Sequence, residues 1–451
     1  MSAEALRETP GVPLVTARPK SQIRTIVEKE IMENLYSFRF YLIIILLTAL
    51  MIGSLIVMYR DYNVRLALYE TQRASLTANI ATLPPSQLSI LVKGLDDTLS
   101  ATYDVSMVNG GIQRNSTQQK TNTLFSIIST PDLLYIIRII LSLAALLITF
   151  DAICGEKEKG TLRLILANQI DRNRMLVGKW IGSFLSLAVP FLLISLIMIV
   201  IFMALPRVSF SRQELWRITG DIGLSLLYVS IFISLGLWIS ATVHNSSASM
   251  AASLLIWTFL VFLIPQLSPV IAEQFVHVPP AESVDEQIAL ERIHNIHLAT
   301  QDVSRLSADQ ENERRQVYIK REGDSANTIF RIEEGYLARL NRLVNLTKNI
   351  ARLSPAACLS FAVSDVSGTG LSELERARTN LLAFKRDYAN TIFENRVLPR
   401  GSRKTLPQFN YQRLSGATGV QAAGVDLILL IIYSAICFVG AQLALYRYDI
   451  R

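Results

Sequence analysis

Six stretches of the chain, residues 40–59, 132–154, 181–205, 222–241, 249–269 and 425–446, are apolar for close to twenty residues each. A helix of that length crosses the roughly 30 Å of a bilayer's hydrocarbon. In lipid, a lone segment must satisfy every N–H and C=O within its own helix, which leaves no other regular structure open to it. The expected fold is therefore an all-α polytopic membrane protein: six transmembrane helices, an N-terminal surface helix and a largely helical extracytoplasmic domain. Charge agrees. Only 18% of the 451 residues are charged, against about a quarter in soluble domains. A net charge of +7 would suit nucleic acid, yet no Lys/Arg patch with interleaved aromatics stands out. The basic residues flank the spans instead, so no nucleic-acid partner is expected. Cys154, Cys358 and Cys437 are too few and too scattered for a disulfide framework.

Residues 1–20 hold Pro10, Pro13 and Pro19 with little periodicity and read as a disordered cytoplasmic tail. They lack a short apolar core with a cleavage site, so no signal peptide is expected. Over 21–39, Ile23, Val27, Ile31, Leu35 and Phe38 recur every three or four residues among Glu28, Lys29, Glu30 and Glu33. That pattern predicts an amphipathic helix on the membrane surface, although a cytosolic helix packed on a partner would look the same. Residues 60–131 form a first polar region, with turn signals at Leu83-Pro84-Pro85 and Asn109-Gly110-Gly111. Pro190 in the third span is a kink that a bundle tolerates. Beyond the fifth span, Pro265 and Pro269 punctuate an apolar stretch that could re-enter the membrane without crossing it.

The second polar region, 270–424, is the largest. Ser283 with Glu286, and Ser372 with Glu375, have capping-box spacing. Stripes at Ala289, Ile293, Ile296 and Val303, and at Ile329, Ile332, Tyr336, Leu340 and Leu343, predict a helical hairpin with a narrow apolar seam. A third stripe runs through Leu374, Leu381, Phe384, Tyr388 and Ile392.

The segment 155–180, between spans two and three, carries Lys157, Lys159, Arg163, Arg172, Arg174 and Lys179. Positive charge stays inside, which makes this turn and both termini cytoplasmic and puts the two long polar regions outside. The short loop with Arg207, Arg212 and Arg217 runs against that rule. The turn opens with Glu156-Lys157-Glu158-Lys159 and Gly160-Thr161. Leu162, Ile165 and Leu166 then share a helical face, and Asp171 offers an N-cap to the next helix. A small apolar face ringed by charge suits docking. A basic loop that serves topology alone accounts for the residues equally well.

The run Gly155-Glu156-Lys157-Glu158-Lys159-Gly160-Thr161-Leu162, followed by Asp171-Arg172 and Gly178-Lys179, resembles the first cytoplasmic loop of type-2 ABC exporter permeases. Members with large extracytoplasmic domains share further segments seen here: Pro84-Pro85-Ser86-Gln87-Leu88-Ser89, Ser354-Pro355-Ala356, Gly368-Thr369-Gly370 and Arg447-Tyr448-Asp449. The chain departs from the family at Gln169, where a proline is common. The resemblance implies that the turn is a coupling helix seated in a cleft of separate cytoplasmic ABC ATPase subunits. Glu156, Glu158, Gly160, Thr161, Leu162, Arg163, Ile165, Leu166 and Arg172 would make that contact. It further implies a second permease chain, as a homodimer or heterodimer, and a surrounding of membrane lipid in a bacterial inner membrane. An extracytoplasmic protein partner, an exported hydrophobic or amphipathic substrate, and ATP and Mg bound on the partner ATPase complete the expectation.

The chain itself has no Gly-x-x-x-x-Gly-Lys-Ser/Thr, so ATP chemistry is expected in another polypeptide and this one is not expected to be an enzyme. Gly155 and Gly160 have phosphate-loop spacing, but Thr161 stands where the lysine must be. Glu291, His294 and His297 at i, i+3, i+6 could line a helix edge as metal ligands, as weak a signal as a solvated face would give. Charge inside a span is costly and tends to face the bundle interior. Arg138, roughly 9 Å along the helix from Asp132, either snorkels outward or faces a pathway and draws in an anionic headgroup. Ser230 and Ser234 give span four a polar edge, for substrate or for helix contacts. A membrane sensor or scaffold with partner-binding outer helices is the alternative reading.

Overall fold

A computed structural model describes residues 22–74, 80–100, 102–105, 112–114, 132–167, 171–208, 211–307, 310–397, 402–413 and 416–447. The tail 1–20, Asn109-Gly110-Gly111, Gln169 and residues 448–451 lie outside them. Among the described residues, six helices are long and apolar enough to cross a membrane. They are Phe38–Ala74, Leu133–Glu158, Arg172–Ala204, Arg212–Thr242, Ser246–Phe275 and Thr418–Tyr446, and they are numbered here as spans one to six. The bundle core lies around spans two, three and four, where Phe191, Phe202, Tyr228 and Phe232 are fully buried. Spans five and six turn Leu255, Ile428 and Ile436 outward, as apolar faces against lipid should be. The three cysteines are buried and free.

The helices overrun the apolar segments. Span one is 37 residues, about 55 Å long, so it continues well past the membrane as a stalk. Its outer turns are held by Arg65, which pairs with Asp61 and with the fully buried Asp96. Span four starts at Arg212 behind a capping box made by Ser211 and Glu214. Span five does not turn back at its prolines. Phe259–Leu263 forms a π-helical bulge just ahead of Pro265, an arrangement that absorbs a missing N–H. Pro269 cannot donate to the carbonyl of Pro265, and Ser268 Oγ does so instead at 2.8 Å. The helix therefore runs unbroken to Phe275.

Beyond the bundle, a hairpin is built from a short arm, Ala281–Ser304, and a long arm, Glu311–Ala351. An elbow helix, Pro355–Ser367, returns into the bundle core, and a cap helix, Leu371–Val397, runs out again. Ser354 caps the elbow by accepting from the N–H groups of Ala356 and Ala357, and Pro355 takes the first helical position. Gly368 ends it in the left-handed conformation at φ +70°. A small antiparallel sheet of Ile80–Thr82, Thr102–Val105 and Ile112–Arg114 is the one addition to an otherwise helical fold among the described residues. Leu83 and Leu99 pack there against Leu374, Leu381, Phe384 and Tyr388 of the cap helix, the third of the three stripes.

Three local expectations are corrected. On the short arm, Ile293 and Ile296 are 64% and 66% exposed, while Val284, Ile288, Asn295 and Ala299 are buried. The true seam is offset around the helix from the expected stripe, because it follows the long arm's crossing rather than the most apolar row. Ser283 does not cap this arm, since its Oγ donates to Pro280 O at 2.8 Å. Nor does Ser372 form a capping box: its N–H and Oγ both meet Asp365 Oδ1, at 3.3 and 2.8 Å.

Buried ion pairs fasten the outer helices to the bundle. Arg352 grips Asp426 of span six through Nε and Nη2, at 2.7 and 3.0 Å. Arg413 bridges Asp96, at 2.7 Å, to the carbonyls of Pro84 and Gly368. The Pro84–Ser89 segment is thus a latch whose Ser86 N–H also meets Asp96.

Candidate functional site

The turn between spans two and three is folded tightly. Gly160 takes φ +70°, and a turn helix, Thr161–Ala167, follows it. Asp171 caps span three by accepting from the Asn173 N–H at 3.3 Å. Thr161 Oγ1 donates back to Glu156 O at 3.3 Å.

Four of its charged side chains, those of Glu156, Lys157, Arg172 and Lys179, turn toward the helices. Glu156 Oε1 accepts from Lys179 Nζ at 2.9 Å and from Lys29 Nζ at 3.0 Å. Lys179 Nζ also reaches Glu30 Oε2 at 3.3 Å. Two acids and two bases therefore tie the surface helix, Gln22–Leu35, to the end of span two and the start of span three. Lys179 is 3% exposed and Glu30 4%, and burial holds the Glu30 carboxyl above its usual range despite the Lys179 ammonium beside it. Close approach makes the arrangement possible. A Cβ on Gly178 would stand 2.7 Å from Ile26 Cγ2, and one on Gly182 would stand 2.6 Å from Glu30 Cβ. Gly-x-x-x-Gly spacing lets two helix backbones come together in this way.

Other residues of the turn grip the remaining spans. Lys157 Nζ donates to the carbonyls of Ala241 and Val243 at the end of span four. Glu158 Oε2 accepts from Ser246 Oγ at the start of span five, at 2.5 Å. Arg172 Nη1 donates to the carbonyls of Leu445 and Tyr446 at the end of span six, at 3.2 and 2.8 Å. These carbonyls are ones a helix end leaves without an internal partner. The turn is a rigid knot joining the same end of several helices.

What faces outward is smaller than the sequence suggested. Lys159, Gly160, Arg163 and Leu164 are exposed, with Glu158 at their edge. Leu162 is 1% exposed and belongs to the bundle core, whereas Leu164 is 67% exposed. Two positions apart on a helix is about 200°, so the pair must point opposite ways. The side chains of Ile165 and Leu166 lie outside the described ones. Sequence reasoning missed Leu164, Lys29 and Glu30. In Leu162-Arg163-Leu164-Ile165-Leu166, four of five residues are apolar, and periodicity cannot choose a face.

The structure does not gather the other candidates at this turn. Arg138 lies in a π-helical segment, Ile137–Leu141, with Nη1 3.5 Å from Ser360 Oγ on the elbow and its guanidinium over the Tyr135 ring. Its Nε is buried without a hydrogen-bond partner among the described residues. Ser230 Oγ meets Ser434 Oγ at 3.0 Å, and Ser234 Oγ accepts from Trp180 Nε1 at 2.9 Å, so both link span four to its neighbours. His297 contacts Gln301, and Glu291 accepts from Asn295 at 2.8 Å. Among the described residues no group of three His, Cys, Asp or Glu is placed to hold a metal.

Comparison with known proteins is consistent with this geometry. The family model described as ABC-2 family transporter protein matches residues 24–449. A probable ABC transporter permease protein NosY of Pseudomonas aeruginosa is 33% identical over 125 residues, which is 28% of this chain and 45% of that protein. A second NosY, of Stutzerimonas stutzeri, is 44% identical over 54 residues, 12% of this chain and 20% of that one. The chain thus spans less than half the length of the curated relatives it matches. Members of the family are integral proteins of the inner membrane in bacteria. Because the family model takes in all six spans and the helices beyond the bundle together, the chain belongs to the ABC-2 family of transporter proteins.

Proposed function

We propose that this permease is half of an ATP-driven exporter, and that a separate cytoplasmic ATPase grips the turn at Lys159, Gly160, Arg163 and Leu164. The observation carrying this reading is the set of bonds that ties the turn to the ends of the spans. A push on it meets buried ion pairs and capped helix ends rather than a slack loop, so displacement passes to spans three, four, five and six together. ATP and Mg belong to the partner ATPase. A second permease chain completes the path, lipid covers the remaining apolar faces, and the outer hairpin receives an extracytoplasmic protein. Arg138 lines the route of a hydrophobic or amphipathic substrate in this scheme, beside Ser230 and Ser234, and its guanidinium on a π-helical segment of a span supports placing the route there.

The test separates docking from folding. Leu164→Asp should leave the purified permease intact yet abolish its co-purification with the ATPase and its ATP-dependent transport. Glu156→Lys should instead loosen the permease itself. If Leu164→Asp and Arg163→Glu chains keep both the ATPase and full transport, the turn is not the docking surface.

A further inference from the structure

A cavity inside the bundle has no part in the transport reading. It lies where spans one, two, three and four meet the elbow helix, between Met51, Ile137, Phe191, Met198 and Val363. Its free volume is about 30 Å³. A water needs about 10–15 Å³ by the same measure, so there is room for about two. Most of the wall is apolar, and a purely apolar cavity stays dry.

Two side chains make this one different. Ser195 of span three and Asp221 of span four both line it. Ser195 Oγ and Asp221 Oδ1 are shut off from the surface and have no hydrogen-bond partner among the described residues. Polar atoms buried in this way almost always meet a donor or an acceptor. The other carboxylate oxygen has one, since Ser367 Oγ at the end of the elbow donates to Asp221 Oδ2 at 2.6 Å. Arg217, one turn earlier on span four, acts on the Asp221 charge, but none of its N–H groups reaches Oδ1. Ser225, also in the wall, commits its hydroxyl proton to Asp221 O at 2.6 Å.

We propose that this cavity is a closed water-binding site, whose water hydrogen-bonds Asp221 Oδ1 and Ser195 Oγ. The space is too small for a lipid tail or an amphipathic substrate, and water is the polar ligand that fits it. Bound water also gives the carboxylate a partner that does not belong to the elbow. The Ser367 contact can then break and re-form without leaving Asp221 unsatisfied, which makes the junction of elbow and span four a wet hinge. The site stands apart from the turn and would survive its reassignment.

The experiment uses the full-length chain in a neutral sugar detergent. A brief X-ray pulse makes hydroxyl radicals from water where it is bound, and a methionine sulfur beside that water is oxidised, as peptide mass spectrometry reads. Met51 and Met198 line the cavity, and Met58 and Met175 are buried controls on the same two spans. Met51 and Met198 should oxidise about fivefold or more faster than the controls. Hydrogen peroxide, which must enter from bulk solution, should leave all four slow. Asp221→Leu should bring Met51 and Met198 down to the control rate. Ser195→Ala should lower them about twofold by removing one of two polar partners, and it carries the test should the leucine variant fail to fold. Equal rates at the four methionines overturn the proposal, as do rates at Met51 and Met198 that neither substitution changes. Fast attack on Met51 and Met198 by peroxide also overturns it, because the cavity would then be open to solvent.

Discussion

Replacing Lys179 with Met should release the surface helix from the bundle. Lys179 Nζ lies 2.9 Å from Glu156 Oε1 and 3.3 Å from Glu30 Oε2, and its side chain is 3% exposed. With Lys29, the four charges sum to zero. Removing the ammonium leaves a net charge of −1, and Glu30 loses the cation that faces it. Breaking a buried pair from one side costs about 3–5 kcal/mol, because the remaining charge stays out of water. In a chain of this size that corresponds to a fall of roughly 3–5 °C in the thermal midpoint, readable by tryptophan fluorescence in detergent.

The double variant Glu30→Gln/Lys179→Met is the sharper measurement. It keeps Lys29 and Glu156 paired at 3.0 Å and strands no buried charge, so it should be more stable than Lys179→Met alone by about 2 kcal/mol. The pH dependence has a definite sign. Burial already raises the Glu30 carboxyl, and losing Lys179 raises it further. Protonating a raised acid stabilises the folded state, so the single variant's deficit should be small below the unfolded value near 4.3 and grow as pH rises through the folded one. An unchanged midpoint in Lys179→Met, or a double variant no better than the single, would refute the idea that this network locks the turn.

Other outcomes follow from neighbouring contacts. Gly182→Leu puts side-chain atoms where Glu30 Cβ now lies, within 2.6 Å of an added Cβ. It should expose Ile26→Cys to thiol labelling that is slow in the parent. Asp426→Asn strands Arg352 at the base of the outer helices and should cost about 3 kcal/mol, with faster proteolysis of the long arm as the readout. Burial raises Glu333 on that arm, so lowering pH from 7 toward 5 should stabilise the outer helices relative to a Glu333→Gln chain, in thermal unfolding followed by circular dichroism. Should the two respond alike to pH, Glu333 is not the group responsible.

The six spans were legible in the one-dimensional pattern because lipid imposes a rule that acts residue by residue: a segment must be apolar and must satisfy its own backbone. The Asp171 cap was legible for the same local reason. The turn was located correctly but its face was not. Glu156 looks like part of a solvated charge run because its neighbours in sequence are charged. It is half-buried because Lys29 and Lys179 reach it from 127 and 23 residues away, and no local pattern records where those ammonium groups will stand.

By itself, then, the sequence determined the membrane frame, the helical character of the region beyond the bundle and the place of the charged turn between spans two and three. Tertiary structure alone decided which side of each helix is inside. It sent Leu162 inward and Leu164 out, shifted the hairpin seam off its most apolar row, and turned a surface-like charge cluster into an internal clasp. The physical reason is that periodicity fixes only the relative angles of side chains around one helix, whereas their absolute direction is set by the neighbours that fold against it.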